Sequence, residues 1–489
     1  MWRAGGTTGL CLCKIGPPRC EAARCERKSM SDEKFGRLTR RQFLGTTLAA
    51  AAPLAPPLPQ RASSIARPRG PRLNVACIGL GQQMQGHLKE ITTNLHQNLV
   101  AVCDVDVARV AVSKKANPAA LAKARVYKDY RELLAAEKTL DAVIIATPDH
   151  WHAPICTAAI HARKHVYCEK PLAHTIGDTR RLRELSRRSK VITQTGNHGS
   201  ASANLRRSLE LIEAGVFGQI REVHIWHPAH QWPSGIDRPP GEDPIPNGLD
   251  WDFWIGPSPA RPYKRGEYHP VLWRGWYDFG GGSLADFCCH AFNLPVRALK
   301  LEYPKIIEVS GRRLGKDSFP SSCTVRFRFP ERGPLDPVTL SFYTGGSLPP
   351  AELTDDLKLT FGATPTSGCL MVGEKGIVSA GLWNTLGHMK MNGEKTYHGV
   401  NGHKAAKNVP VTLPRVEGHM REWVDACLGG PPTFANFDIG GHLTEIGLAG
   451  VLALRIGYDI EWNGEQMRAP DVPDADALVS PEPREGWRV

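Results

Sequence analysis

Five short apolar runs between residues 73 and 196 each end in glycine, an acid or another turn-former: LNVACIGLG, NLVAVCDVD, DAVIIATPD, KHVYCEKP and KVITQTGN. Amphipathic stretches such as GHLKEITTNL, HAPICTAAIHA and IGDTRRLRELSRRS separate them. Apolar strands alternating with amphipathic helices commit this segment to a parallel, doubly wound α/β sheet, which we end near Gly196. The first run opens directly into Gly79 and Gly81. Glycines after a strand and before a helix let the backbone approach a pyrophosphate at the helix N-terminus. The third glycine of a G-x-G-x-x-G loop would stand at position 84; Met84 is there, and Gly86 follows two residues later. By itself the loop leaves two readings open, a cofactor site and a decayed copy of one.

Past residue 196 the pattern changes. ANLRRSLELIEAGVFG reads as a helix and QIREVHIWHPAH as a strand. Residues 228–282, rich in Trp, Pro and Gly, read as ordered loops. Strand-like runs follow in KIIEVSGRR, SCTVRFRFP, VTLSFYTG, LKLTFGA and GIVSAGL, with late helices in EGHMREWVDACLGG and HLTEIGLAGVLALRIG. These predict a second, α+β domain over residues 197–470 with a mostly antiparallel open sheet, then a tail over 471–489.

The net charge of +12 invites a nucleic-acid reading, but residues 1–72 hold 14 Lys/Arg against 4 Asp/Glu. That leaves only +2 for the remainder, which argues against a phosphate-binding surface. The leader, LTRRQFLGTTLAAAAPLAPPLP, places Arg40-Arg41 before a mild Ala-rich run and resembles a twin-arginine export signal, hence a periplasmic or otherwise exported protein. The run is too short and too Pro-broken for stable membrane insertion. Met30 makes a sensible start for such a signal, with residues 1–29 upstream of it and cleavage after Ala62 or Ala66. Nine cysteines follow the leader with no C-x-x-C pair, so buried free thiols are expected rather than zinc or a disulfide framework. His224, His227 and His230 recur every third residue, which scatters them over both faces of a strand, and no metal site is assigned.

Asp104 strengthens the cofactor reading. It ends the second run about twenty residues beyond the loop, where a carboxylate accepts both adenosine ribose hydroxyls and repels a 2′-phosphate. NAD is therefore favoured over NADP. Glycine-loop residues Gly79, Gly81, Gln82, Gln83 and Met84 join Asp104 as the candidate cofactor set. In order and spacing, GLGQQMQGH, AVCDVD, ATPDHWHAP, YCEKPLA, TQTGNHGSAS and WRGWYDFGGGSLADFCCHAFN resemble the Gfo/Idh/MocA (glucose–fructose oxidoreductase / inositol dehydrogenase) family over about residues 73–470. The resemblance implies a Rossmann-type domain. It also implies that Thr147, Pro148, His152, Glu169, Lys170 and Asn197 lie along the cofactor, and that the protein is a dimer or tetramer.

Hydride transfer at an alcohol carbon needs a group to move the hydroxyl proton and a donor to stabilise the oxyanion. Lys170 follows a parallel strand at its ligand-binding edge. Asp286 and His290 form D-x-x-x-H, which puts both on one face of a helix. We assign His290 as acid/base, Lys170 as co-catalyst or donor to the substrate oxygen, and Asp286 as positioner, in line with the family's roles for an equivalent Asp and His. Asn293 continues that face. Trp273 and Arg274 join Lys170, Asp286, His290 and Asn293 as the candidate substrate set, with Trp226, Trp232 and Trp276 as further flat surfaces for a sugar. The expected activity is NAD(H)-dependent oxidoreduction of a carbohydrate or polyol with a tightly held, recycled cofactor. A glycosidase acting by transient oxidation and a non-catalytic sugar- or nucleotide-binding protein are the alternatives.

Overall fold

The computed structural model describes residues 71–228, 232–311 and 315–487. The expected export signal, with its expected start and cleavage site, lies outside the described residues. A six-stranded parallel sheet comes first: β1 (Asn74–Ile78), β2 (Asn98–Cys103), β3 (Arg125–Tyr127), β4 (Ala142–Ile145), β5 (His165–Cys168) and β6 (Thr193–Thr195), in the order β3-β2-β1-β4-β5-β6. Both faces are covered, which explains the unbroken apolar runs. Val75 and Cys77 of β1 enter one core with Ala142 and Ile144, while Ala76 and Ile78 enter the other with Val143 and Ile145. Period-two alternation here sorts side chains between two cores rather than between core and water.

The second sheet has nine strands: β7 (Ile220–Trp226), β8 (Ile306–Gly311), β9 (Cys323–Phe329), β10 (Val338–Thr344), β11 (Gly368–Gly373), β12 (Gly376–Ser379), β13 (His388–Met391), β14 (His398–Gly399) and β15 (Ile460–Glu461). It is antiparallel apart from the β7–β10 pair. The expected strand LKLTFGA is instead the end of a helix, Ala351–Phe361, closed by Gly362 in the left-handed conformation. Thr354 and Leu357, three apart, are its buried positions, while Leu359 and Phe361 face outward. The helix Phe437–Ile456 is long and apolar enough to cross a membrane, but it is a core element here, packed against the second sheet and the helix Gly282–Ala291. Gly447 permits that approach, because a Cβ there would stand 2.2 Å from the Cys288 sulfur.

Late segments return to the first sheet. The helix His419–Cys427, expected within the second domain, lays Met420, Trp423 and Val424 into the same core as Val75 and Cys77. The described residues between 228 and 281 carry one short helix, Trp251–Ile255, and one 3-10 turn, Leu272–Gly275. They are otherwise irregular and built on an aromatic cluster of Trp251, Trp254, Tyr263, Tyr268, Trp276 and Phe279. This loop docks on the end of β2 through the Asp106–Leu249 bridge and an Asp106–His269 contact of 2.8 Å. The tail then binds the loop: Arg484 Nε donates to the Gly256 carbonyl at 3.0 Å, and Trp487 meets Trp151 edge-on at 5.4 Å.

Candidate active site

The carboxyl ends of β1, β2, β4 and β5 open into two adjoining cavities, the edge where parallel sheets hold ligands. The larger, about 510 Å³, runs from Gly79, Gly81 and Asp104 past Thr147 and Pro148 to Trp273 and Arg274. The smaller, about 60 Å³, is lined by Asp149, His152, Glu169 and Lys170, and shares Gln83, Thr147, Trp273 and Arg274 with its neighbour.

The dinucleotide end is made by the glycine loop. Gly79 has φ +83°, and a Cβ there would meet the Thr147 amide nitrogen at 2.7 Å, so only glycine lets β1 and β4 turn this closely. Gly81 has open space in front of it, and the helix Gln82–Lys89 presents its N-terminus there. Met84 is fully buried in the core with Val75, Cys77 and Leu88, beneath the helix and away from the cavity. It occupies the space that a third glycine would leave. Gly86 lines the cavity, again with no atom within 4 Å of a built Cβ, so it leaves room for ligand rather than for close helix packing.

Asp104 accepts from the Leu80 amide at 2.6 Å and from the Asp106 amide at 2.8 Å. It thus braces the glycine loop while lining the cavity. Burial pushes its carboxyl up to about 6, against the downward pull of those two N–H groups and His269. Two backbone bonds leave lone pairs free for ribose hydroxyls. The residues present therefore fit an adenosine ribose and a pyrophosphate.

At the inner end, Lys170 Nζ donates to Asp286 Oδ1 at 3.0 Å and to the Asp286 carbonyl at 3.1 Å. Arg274 Nε stands 3.5 Å from the same carboxylate oxygen, with its guanidinium 4.2 Å over the Trp273 ring. Burial favours neutral Lys170, but attraction to Asp286 and Glu169 outweighs it and raises the ammonium pKa. Burial likewise opposes charge on Asp286, and Lys170 and Arg274 overcome it and lower the carboxyl pKa. Glu169 falls to about 2 despite burial, because His87 donates to it at 2.7 Å. Gln83 reaches the same oxygen at 3.3 Å.

The other expected residues divide. His152 lines the smaller cavity with its ring between two carbonyls, Pro171 at 2.7 Å from Nδ1 and Thr147 at 3.0 Å from Nε2; its one N–H donates to one of them, and it braces the Thr147–Pro148 turn. Asn197 and Asn293 reach neither cavity. Fully buried, Asn197 donates to the Cys289 carbonyl at 3.0 Å and Asn293 to Ser200 Oγ at 2.8 Å. The Asn197 amide thus pins the helix that carries Asp286, and the Asn293 amide ties the next helix, Asn293–Ala298, to the turn at Ser200. His290 lies one helical turn after Asp286, its ring 4.8 Å from that of His198, and it lines neither cavity. Among the described residues its Nδ1 has no hydrogen-bond partner, and burial together with Lys170 holds its pKa well below the ordinary histidine value, so the imidazole is neutral. Trp232 lines the larger cavity, whereas Trp276 is aromatic core and Trp226 bonds the Pro365 carbonyl elsewhere on the second sheet. Cys288 and Cys289 face the helix Phe437–Ile456 as core thiols.

Sequence reasoning did not single out His87, Asp149 or His269. The signals were present in the histidine that ends GLGQQMQGH and in the acid of TPDHWH. His269 had none, since only the loop's docking on β2 brings it to Asp106.

Comparison with known proteins agrees with this architecture. Residues 73–197 match a family model described as an oxidoreductase family NAD-binding Rossmann fold, and residues 211–329 match the family's C-terminal alpha/beta domain. An inositol 2-dehydrogenase of Salmonella paratyphi B is 30% identical over 174 residues, 34% of this chain and 50% of that protein. A glycosyl hydrolase family 109 protein of Shewanella sp. is 27% identical over 175 residues, 34% of this chain and 37% of that protein. The chain thus matches about half the length, or less, of these curated relatives. Among solved structures, the WlbA dehydrogenase from Bordetella pertussis in complex with NADH and UDP-GlcNAcA superposes with TM-score 0.54 at 16% identity, covering 80% of this chain and 99% of that one. At that identity the likeness shows the fold. With both of its domain models matched in order, and the glycine loop and Lys170 at the sheet edge where the fold binds its ligands, this chain belongs to the Gfo/Idh/MocA oxidoreductase family.

Proposed function

We propose that the protein is an NAD(H)-dependent oxidoreductase acting at the CH–OH carbon of a carbohydrate or polyol. One observation carries this reading: Lys170 lines the small cavity, Arg274 lines both it and the cleft that runs to Asp104, and Asp286, which lines neither, pairs with both cations. NAD bound in that cleft would supply the hydride acceptor or donor. The chain's residues supply the rest. Charged Lys170 donates to the reacting oxygen and stabilises its developing negative charge. Asp286 holds the ammonium in place. We assign transfer of the hydroxyl proton to neutral His290, one helical turn from Asp286; it lines neither cavity, so this role rests on the family resemblance, and the His290→Ala variant below tests it. Trp273 offers a flat face to the sugar ring.

Denaturing the purified protein should release NAD, and a carbohydrate panel followed by nicotinamide absorbance should find turnover. Lys170→Ala and His290→Ala should each abolish that turnover with NAD still bound. A protein that neither releases NAD nor binds it when added refutes the reading. The Shewanella relatives support a second chemistry on the same site, in which oxidation acidifies a neighbouring C–H and a glycoside is eliminated. Release of nitrophenol from nitrophenyl glycosides, dependent on NAD, separates the two. Met84, the one feature that favoured a non-catalytic binding protein, leaves the cleft open. The leader supports export with cofactor already bound, which Arg40→Lys/Arg41→Lys and cell fractionation test. Assembly as a dimer or tetramer is tested by size-exclusion chromatography with light scattering.

A further inference from the structure

Asp149 has no role in the chemistry described so far. It begins the short turn Asp149–Trp151 after β4 and is 3% exposed. Its carboxyl makes no hydrogen bond or ion pair with the described residues, although the neighbouring His150, Trp151 and His152 are all bonded to backbone carbonyls. It lines the smaller cavity beside Lys170 and does not line the larger one that holds the glycine loop and Asp104. A buried polar group without a protein partner is costly to keep, so a ligand group is the natural partner.

We propose that Asp149 is a substrate-binding residue that holds the hydroxyl next to the one Lys170 holds, so that the site selects vicinal diols of a sugar or cyclic polyol. This rests on the functional reading above. Lys170 and Arg274 already share the ionised carboxylate of Asp286. Burial holds the Asp149 carboxyl well above the usual range, with Asp286 and Cys289 pushing the same way and Arg274 and Lys170 pulling against them. That bias favours the protonated acid, which can donate one hydrogen bond and accept another, matching a sugar hydroxyl. A neutral amide offers the same pair of functions.

The experiment uses full-length protein with NAD bound, in wild-type, Asp149→Ala and Asp149→Asn forms. Substrates are myo-inositol, D-glucose and D-xylose, then monodeoxy derivatives of whichever is oxidised fastest. In wild type, removing the hydroxyl adjacent to the reacting one should lower kcat/KM roughly tenfold to a hundredfold, the worth of one hydrogen bond to a buried polar group. Asp149→Ala should raise KM for the parent sugar by a similar factor, leave NAD affinity unchanged and erase discrimination against the deoxy analogue. Asp149→Asn should restore most of both. Asp149→Ala with wild-type KM and discrimination overturns the proposal. So does a loss of NAD affinity in place of sugar affinity, which would assign Asp149 to the nicotinamide. Wild-type protein that holds NAD but oxidises none of these sugars overturns the functional reading instead, and the proposal with it.

Discussion

The affinity for NAD should depend on pH through Asp104. Burial disfavours the charge and pushes its carboxyl up to about 6. Ribose hydroxyls are donors and need the ionised form. If only that form binds, the apparent Kd is the intrinsic Kd divided by the ionised fraction, so it rises about twofold at pH 6 and about elevenfold at pH 5 over its plateau above pH 7. The sign follows from linkage: a ligand that selects the deprotonated state binds more weakly as pH falls through the pKa of the free protein. Asp104→Asn removes the titration. Its amide still offers an oxygen to the Leu80 or Asp106 N–H, now 2.6 and 2.8 Å from the carboxylate, but not to both with ribose as well. NAD should bind the variant more weakly than wild type at pH 8 and with no pH dependence from 5 to 8. Discrimination against NADP should shrink. Fluorescence titration of protein stripped of cofactor measures all three. A wild-type Kd that is flat between pH 5 and 8, or an unchanged slope in Asp104→Asn, refutes the assignment of Asp104 to the ribose.

Asp286→Ala leaves Lys170 and Arg274 without the counter-ion they share, and breaking such a buried pair costs about 3–5 kcal/mol, visible as a lowered Tm. The lowered carboxyl pKa of Asp286 means that its stabilisation is present above the unfolded carboxylate value and lost as pH falls through the folded one, so the variant's deficit should vanish in strong acid. The pair Arg484→Ala/Trp487→Ala frees the loop over the cleft from its tail; bound NAD should dissociate at least severalfold faster by stopped-flow, with the melting temperature of the first sheet nearly unchanged.

Where the chain's own periodicity decided the structure, it was legible. Strands β1, β2, β4 and β5 announce themselves because both faces are buried, and Gly79 and Asp104 stand at the ends of such strands. The i, i+4 spacing of Asp286 and His290 does place them on one helix. β3 escaped because three residues, two of them exposed, make no apolar run. LKLTFGA misled because its alternation mimics a strand, while tertiary burial selects only Leu357 from it. Asn197 and Asn293 look like ligand groups in sequence; what directs them to Cys289 and Ser200 is the packing of distant turns, which no local pattern carries. Asp149 and His269 acquire meaning only from cavities and docking surfaces made by other parts of the chain.

The roof of the cleft has a consequence for how the protein comes to exist. His269 contacts Asp106 across 163 positions, Arg484 grips Gly256 across 228, and Trp423 covers a sheet whose first strand begins at Asn74. Contacts of this range form late and slowly. The glycine loop is synthesised early, yet the cleft's facing wall, from Trp232 to Arg274, belongs to a loop that the last segments brace. Cofactor capture is therefore an event of the finished chain, and a fragment ending near residue 196 would keep the loop while baring the apolar face that Met420, Trp423 and Val424 normally cover. Such a fragment should aggregate before it binds anything.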